Sequence, residues 1–334
     1  MGGLVGWQAA FLAVGLPGLL VAIWVATLRE PARAPAEGAS LRHPLRDFIT
    51  DLSMLMPPFT LWHAAQRGPM AVVTNLAFAA AMIGLATLMI GITGNLPQWV
   101  SMAFGYYAVF SWAATLRQRD PATYQLIWGT PAFVCTALGY GLVSLGAYAL
   151  AFWAAPYAET VLKLPKEELA FVLGSNGAVS GFLGVILGGR MSDALRVRNP
   201  SGRILVIMFG ILAPVIPIWI GFTTDNSTLF YVMNFLAGLF AATALGAAAA
   251  TTQDLVLPRM RGTATASFFL ATTLVGLALG PYMVGQISEL TGSMRTGMLS
   301  LIGVAPISFV LLMYAYRTLP AAEATIEERA RAAG

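Results

Sequence analysis

Leu187-Gly188-Gly189-Arg190-Met191-Ser192-Asp193 closes one long apolar run, and Arg196, Arg198 and Arg203 follow before the next begins at Ile204. Each run is long enough to cross a hydrocarbon layer about 30 Å thick. A short basic turn joining two apolar runs reads as two membrane spans held at one face of a bilayer. Further on, Pro258-Arg259-Met260-Arg261-Gly262 opens another apolar run, which carries Gly276-Leu277-Ala278-Leu279-Gly280-Pro281. Small residues there recur one turn apart, and a proline then bends the helix. The rest of the chain reads outward from these two devices as further spans.

Composition agrees. Hydrophobic residues make up 57% of the 334 residues and charged residues 10%, with a mean hydropathy of +0.73. A soluble domain carries about 25% charge, so most of this surface is not built for water. At about 20 apolar residues per span there is room for roughly eight to ten helices. The apolar runs predict about nine spans, over 4–28, 70–93, 99–116, 131–157, 169–188, 204–222, 229–252, 263–287 and 298–316. Met1-Gly2-Gly3-Leu4 lacks the basic start of a signal peptide, so the first run reads as a true span and not a cleaved leader. Arg42 to Arg67 mixes apolar and charged residues and is broken at Pro57-Pro58, which suits a helix lying in the membrane interface. The tail from Arg317 is polar and reads as frayed or helical in water.

Several functions are excluded. The net charge of +4 gathers on no basic face, which removes nucleic acid as a partner. The single cysteine, Cys135, lies in an apolar run and reads as a small buried hydrophobe. His43 and His63 stand alone and read as interfacial polar residues, so neither metal nor cofactor is expected. An intramembrane enzyme needs a histidine, serine or carboxylate cluster at depth, and the runs contain none.

Charge orients the spans. With the Arg29 end in the cytoplasm, sixteen basic residues fall on the cytoplasmic side, and only Lys163, Lys166 and Arg295 fall outside. This positive-inside asymmetry places the chain in the cytoplasmic (inner) membrane with its carboxyl terminus in the cytoplasm. Within the turn, Asp193 is expected to face the positive amino-terminal end of the helix that opens at Arg261. The plainer alternative, topology charges alone, accounts for the arginines but not for the aspartate. Gly177 with Gly181, Gly184 with Gly188, and Gly276 with Gly280 are spaced to let helices approach closely. The spans hold no carboxylate near their centres. Deep polar residues such as Asn75, Asn176, Ser180 and Asn234 serve either as glue between helices or as cavity lining.

These motifs carry a resemblance. Gly189, Arg190, Asp193, Arg196 and Arg198 resemble the cytoplasmic loop motif of the major facilitator superfamily, as it recurs in the carboxyl half. Gly6-Trp7 through Pro17-Gly18 resembles the sixth helix of Spinster-type members, which are tied to sphingolipid or lysophospholipid export. Arg261, Gly276, Gly280 and Pro281 resemble their eleventh helix. The match covers residues 4–30 and 131–317. It implies an all-α membrane protein with a major-facilitator-type helical bundle. Residues 1–30 would be the last helix of the amino-terminal bundle and 31–68 a cytoplasmic loop. Residues 69–130 would be an inserted two-helix hairpin with its connector, 131–318 a six-helix bundle (helices seven to twelve), and 319–334 a cytoplasmic tail.

By the same resemblance the function is secondary active transport of a lipid-like or small organic solute by alternating access, with a proton or other ion coupled in a longer protein. The family's helices one to five, with their coupling carboxylate and arginines, have no counterpart in this sequence. The chain therefore reads as a carboxyl-terminal part that needs a missing bundle or self-association. The alternatives are a drug or metabolite exporter of the fourteen-helix type and a non-transporting fragment or partner subunit. The resemblance implies a substrate cavity lined by Tyr140, Ser144, Tyr148, Asn176, Asn234 and Thr243, the first three of which share one helix face.

Overall fold

The computed structural model of the chain describes residues 6–29, 59–66 and 68–333. The chain divides into two units, 1–49 and 50–334. The first contributes α1 (Gly6–Thr27), which keeps Pro17 inside it. Most of the expected interfacial segment, including His43, lies outside the described residues; α2 (Phe59–Gln66) is the part within them.

The second unit opens with a hairpin whose turn is written in the sequence. α3 (Pro69–Thr93) ends at Gly94, whose φ of 69° is left-handed and costs glycine little. Asn95 then caps α4 (Leu96–Arg119) by accepting the Gln98 amide at 3.1 Å. Asp120 repeats the device for α5 (Pro121–Ile127), accepting the Thr123 amide at 3.0 Å.

Six long helices follow: α6 (Pro131–Thr160), α7 (Lys166–Arg198), α8 (Gly202–Thr223), α9 (Ser227–Asp254), α10 (Pro258–Thr291) and α11 (Met294–Ala324). A short α12 (Ile326–Ala333) ends the chain. Among the described residues seven helices are long and apolar enough to cross a membrane, α3 and α6 to α11. Of the other two expected spans, α4 has the length, at 24 residues, but Gln98, Ser101, Ser111 and its tyrosines dilute its apolar run. In α1 the qualifying apolar part is the shorter stretch Gly15–Thr27.

The helices outrun the apolar stretches that announced them. α7 continues to Arg198, so the basic turn shrinks to residues 199–201 and most of its motif is helical. The expected loop over 288–297 shrinks to Gly292 and Ser293, where Gly292 takes a φ of 64° and Ser293 caps α11. Backbone hydrogen bonds do not stop at the membrane edge, whereas hydropathy does. The tail is helical: α12 packs on α5, buries Ala330, and Arg329 donates to Thr130 and to the Ala322 carbonyl.

α6 is the hub. It touches every other helix of the six, and its apolar window is 61% buried, against 17% for α7. The core forms two clusters along the bundle. One gathers Phe133, Ile207 and Phe268, and the other gathers Tyr157, Phe222 and Phe230. Glycine sets the closest approaches: a Cβ on Gly188 would lie 2.5 Å from the Thr243 Cα, and one on Gly280 would strike the Leu145 carbonyl.

Four spans are broken, α11 by a 3-10 turn over Ser300–Gly303. α8 breaks between its two segments at Ala213-Pro214, and α9 at Thr243. α10 carries a π turn over Thr272–Leu277, where the Ala278 amide reaches back to Thr273 at 3.0 Å. Pro281 has no N–H to give the Leu277 carbonyl, which favours a break in the ladder here. The hairpin docks on this broken stretch. Gln98 Nε2 donates to the Ala278 carbonyl at 2.8 Å, and Trp99 Nε1 lies 3.1 Å from the Tyr282 hydroxyl. The two rings meet edge-on at 5.6 Å. A side chain of α4 thus satisfies a carbonyl at the exit of the π turn.

Candidate solute cavity

Between α6, α7 and α9 lies a cavity of about 540 Å³. Small side chains make it. α6 presents Ala147, Ala151 and Ala154, and α7 presents Gly174, Gly177 and Gly181 at helical spacing. A Cβ on any of those three glycines would meet nothing within 4 Å. Of the expected close-packing pairs, Gly184 with Gly188 and Gly276 with Gly280 do abut neighbouring helices, whereas Gly177 and Gly181 line open space. Among mostly apolar walls the α9 side supplies Asn234, whose Nδ2 is buried and has no hydrogen-bond partner. An unpaired buried amide donor costs about 1–3 kcal/mol. It is the group a bound acceptor would satisfy.

The six expected lining residues separate into three groups. Asn234 lines the cavity. Tyr148 is 37% exposed on α6 and is absent from the cavity wall. The other four are engaged in helix packing. Tyr140 is buried and stacks on Phe268 at 5.1 Å. Ser144 donates to Gly141 O at 2.8 Å while Gly276 presses against it. Thr243 is buried against Gly188 and bonds the Phe240 carbonyl at 2.6 Å. Asn176 Nδ2 donates to the Tyr231 carbonyl at 3.0 Å, joining α7 to α9. The shared face of residues 140, 144 and 148 turns its first two members toward α10, away from the cavity. The lining alanines escaped the sequence reading because they carry no polar group, and Gly177 and Gly181 were read as close packing, since small residues at helical spacing mark either role.

At the basic end of the bundle an ion-pair network stands where the loop motif was expected. Arg203 pairs with Asp254 at the end of α9 and lies 3.8 Å from Asp193, which is 79% exposed. The ion-pair partner of Asp193 is therefore Arg203, an arginine at the start of α8. Arg196 binds Glu323 of α11 at 2.7 Å and the Pro200 carbonyl, closing α7 onto the last span. Arg190 and Arg198 are exposed, as is Arg261, and Gly189 meets no neighbour.

A bundle of long apolar helices with a small-residue cavity between spans defines an integral membrane protein. The chain belongs to the Major Facilitator Superfamily, whose sequence profile matches residues 136–333. It is related to the Spinster proteins. It is 29% identical over 167 residues to Protein spinster of Drosophila melanogaster, covering 47% of this chain and 28% of that one. Protein spinster homolog 3 of Danio rerio is 30% identical over 173 residues, 47% of this chain and 34% of its own length. An MFS-type efflux pump of Mycolicibacterium smegmatis is 24% identical over 159 residues, 48% and 37% of the two chains. The chain thus spans 28% to 37% of the length of these relatives. A bacterial homolog of the human lysosomal transporter Spinster, in an inward-facing and unoccupied conformation, superposes with a TM-score of 0.47 at 20% identity, over 67% of this chain and 57% of that one.

Proposed function

We propose that this chain is the carboxyl-terminal part of a secondary transporter, and that its α6–α7–α9 cavity holds part of a lipid-like or small organic solute during alternating access. The observation that carries the reading is the orphaned Asn234 amide in a cavity of otherwise small, mostly apolar side chains. At about 540 Å³ its size falls within the range of small-molecule sites. Its chemistry suits an amphipathic solute that offers one acceptor to Asn234 and apolar surface to the alanines and glycines. The relative named an MFS-type efflux pump supports outward transport. α6 to α11 would form the carboxyl bundle, α3 and α4 an inserted pair, and α1 the end of a partner bundle. The alternation of basic residues along the sequence, sixteen against three when the spans are counted through, supports a cytoplasmic carboxyl terminus in the inner membrane. The described spans hold no carboxylate near their centres, so ion coupling would draw on groups outside these spans.

The reading is tested by binding of a fluorescent lysophospholipid to the chain in nanodiscs. Asn234→Leu removes the donor and is expected to weaken binding about five- to tenfold, the net worth of one hydrogen bond. Tyr140→Phe, outside the cavity, is expected to bind as the parent does. Equal affinity in Asn234→Leu and the parent would refute the site, and an absence of binding by the parent would refute the solute class.

A further inference from the structure

The inserted hairpin carries a second groove, unrelated to the solute cavity. Two cavities of about 510 and 560 Å³ lie along it and adjoin at Phe110, Ala113 and Tyr124, which line both; together they are treated as one groove. Three helix faces build it in register. α4 contributes Tyr106, Phe110, Ala113 and Arg117; α3 contributes Thr74, Asn75 and Phe78; Tyr124 and Trp128 close it from the α5 side.

Its two ends differ in chemistry. One is polar. Arg117 is exposed and lies 5.8 Å from the Tyr124 ring, and among the described residues it has no carboxylate partner. The nearby Asp120 carboxylate is occupied by the Thr123 amide and hydroxyl, and no carboxylate lines the groove. Asn75 is buried with its carbonyl oxygen taken by the Tyr107 hydroxyl, which leaves its NH₂ as the group it can offer. The other end is aromatic. Phe78 and Phe110 stack at 3.9 Å, and Trp128 meets Trp112 edge-on at 6.4 Å. The Trp128 Nε1 is buried there without a hydrogen-bond partner.

We infer that this groove is a binding site for one anionic phospholipid of the adjacent leaflet, with the headgroup phosphate at Arg117 and an acyl chain along Phe110 toward Tyr106. Three observations support that occupant. The apolar window of α3 is only 6% buried among the described residues, so this helix offers apolar surface that acyl chains can cover. From Arg117 to Tyr106 the groove runs about 17 Å at 1.5 Å per residue, close to the depth of one leaflet, about 15 Å. The head end offers an unpaired guanidinium and amide donors to an anion, and the tail end offers stacked rings. The inference is independent of any transported solute.

The test uses the full chain in phosphatidylcholine nanodiscs doped with dibrominated phosphatidylglycerol or dibrominated phosphatidylcholine, read by quenching of tryptophan fluorescence. The anionic lipid is expected to quench more at equal mole fraction, with an apparent preference of about fivefold. Arg117→Gln is expected to remove that preference, and Trp128→Phe to remove most of the excess quenching. Arg259→Gln alters another exposed arginine at the same end of the bundle and is expected to leave the preference intact. Free glycerol phosphate at millimolar concentration is expected not to compete, because the acyl chain carries part of the binding. Equal quenching by the two lipids would overturn the inference. So would an equal loss in Arg259→Gln, which would mean surface charge, or full displacement by glycerol phosphate, which would mean a free-anion site.

Discussion

Gly188→Ala is expected to lower the stability of the bundle by about 2–3 kcal/mol, seen as a clear drop in apparent melting temperature by fluorescence-detected size exclusion in detergent. The added methyl would overlap the backbone of Thr243. Backbone cannot rotate away as a side chain can, so α7 and α9 would have to separate along their length. In a membrane such close contact is itself the source of association, since lipid tails are as apolar as the helices. Gly177→Ala, on the same helix about three turns earlier, provides the comparison. Its methyl would project into the cavity and meet nothing within 4 Å, so its effect is expected to stay within about 1 kcal/mol of neutral, with any gain coming from helix propensity. Two equal responses would mean that close packing between α7 and α9 does not hold the bundle together.

The second large effect is expected at Arg203. Its side chain is 17% exposed and pairs with Asp254, itself 33% exposed. Arg203→Leu would leave that carboxylate partly buried and unpaired. Breaking a buried pair costs about 3–5 kcal/mol, and the residual exposure here reduces the expected loss to about 2 kcal/mol. The double variant Arg203→Leu with Asp254→Leu is expected to recover most of the loss, because no lone charge remains. Asp193→Asn touches the same arginine from 3.8 Å with 79% exposure. It is expected to change stability by less than about 0.5 kcal/mol. Melting of the four proteins side by side checks all three values. A loss in Asp193→Asn as large as that in Arg203→Leu would restore the structural role the sequence suggested for the aspartate.

Apolar run length made the helical bundle legible in the sequence, because it follows from the cost of placing charge in lipid. Helix ends were less legible. Arg190 to Arg198 read as a turn since they are polar, yet the helix continues through them with its hydrogen bonds intact. α4 shows the converse, a helix of spanning length whose glutamine, serines and tyrosines dilute its hydropathy. The cavity was the least legible part. Sequence reasoning searched for polar side chains, and Ser144 and Thr243 have theirs committed to backbone carbonyls within the bundle. What makes the space is missing bulk. A glycine pressed on a neighbour, such as Gly188, and a glycine facing a void, such as Gly177, are identical in sequence and separable only by what stands opposite. Asn234 was named by its polarity, but only the structure shows that its amide has no partner.

The central claim is that the α6–α7–α9 space is a solute cavity open to water and not a lipid-filled cleft. Cysteine accessibility tests it most directly, since Cys135 is the single cysteine and Cys135→Ala gives a blank background. Gly177→Cys places a thiol in the cavity wall, and Val179→Cys places one two residues on, at a position 48% exposed but outside that wall. With a charged, membrane-impermeant methanethiosulfonate in proteoliposomes, Gly177→Cys is predicted to react at least tenfold faster than Val179→Cys. Equal, slow reaction at both positions would contradict the account.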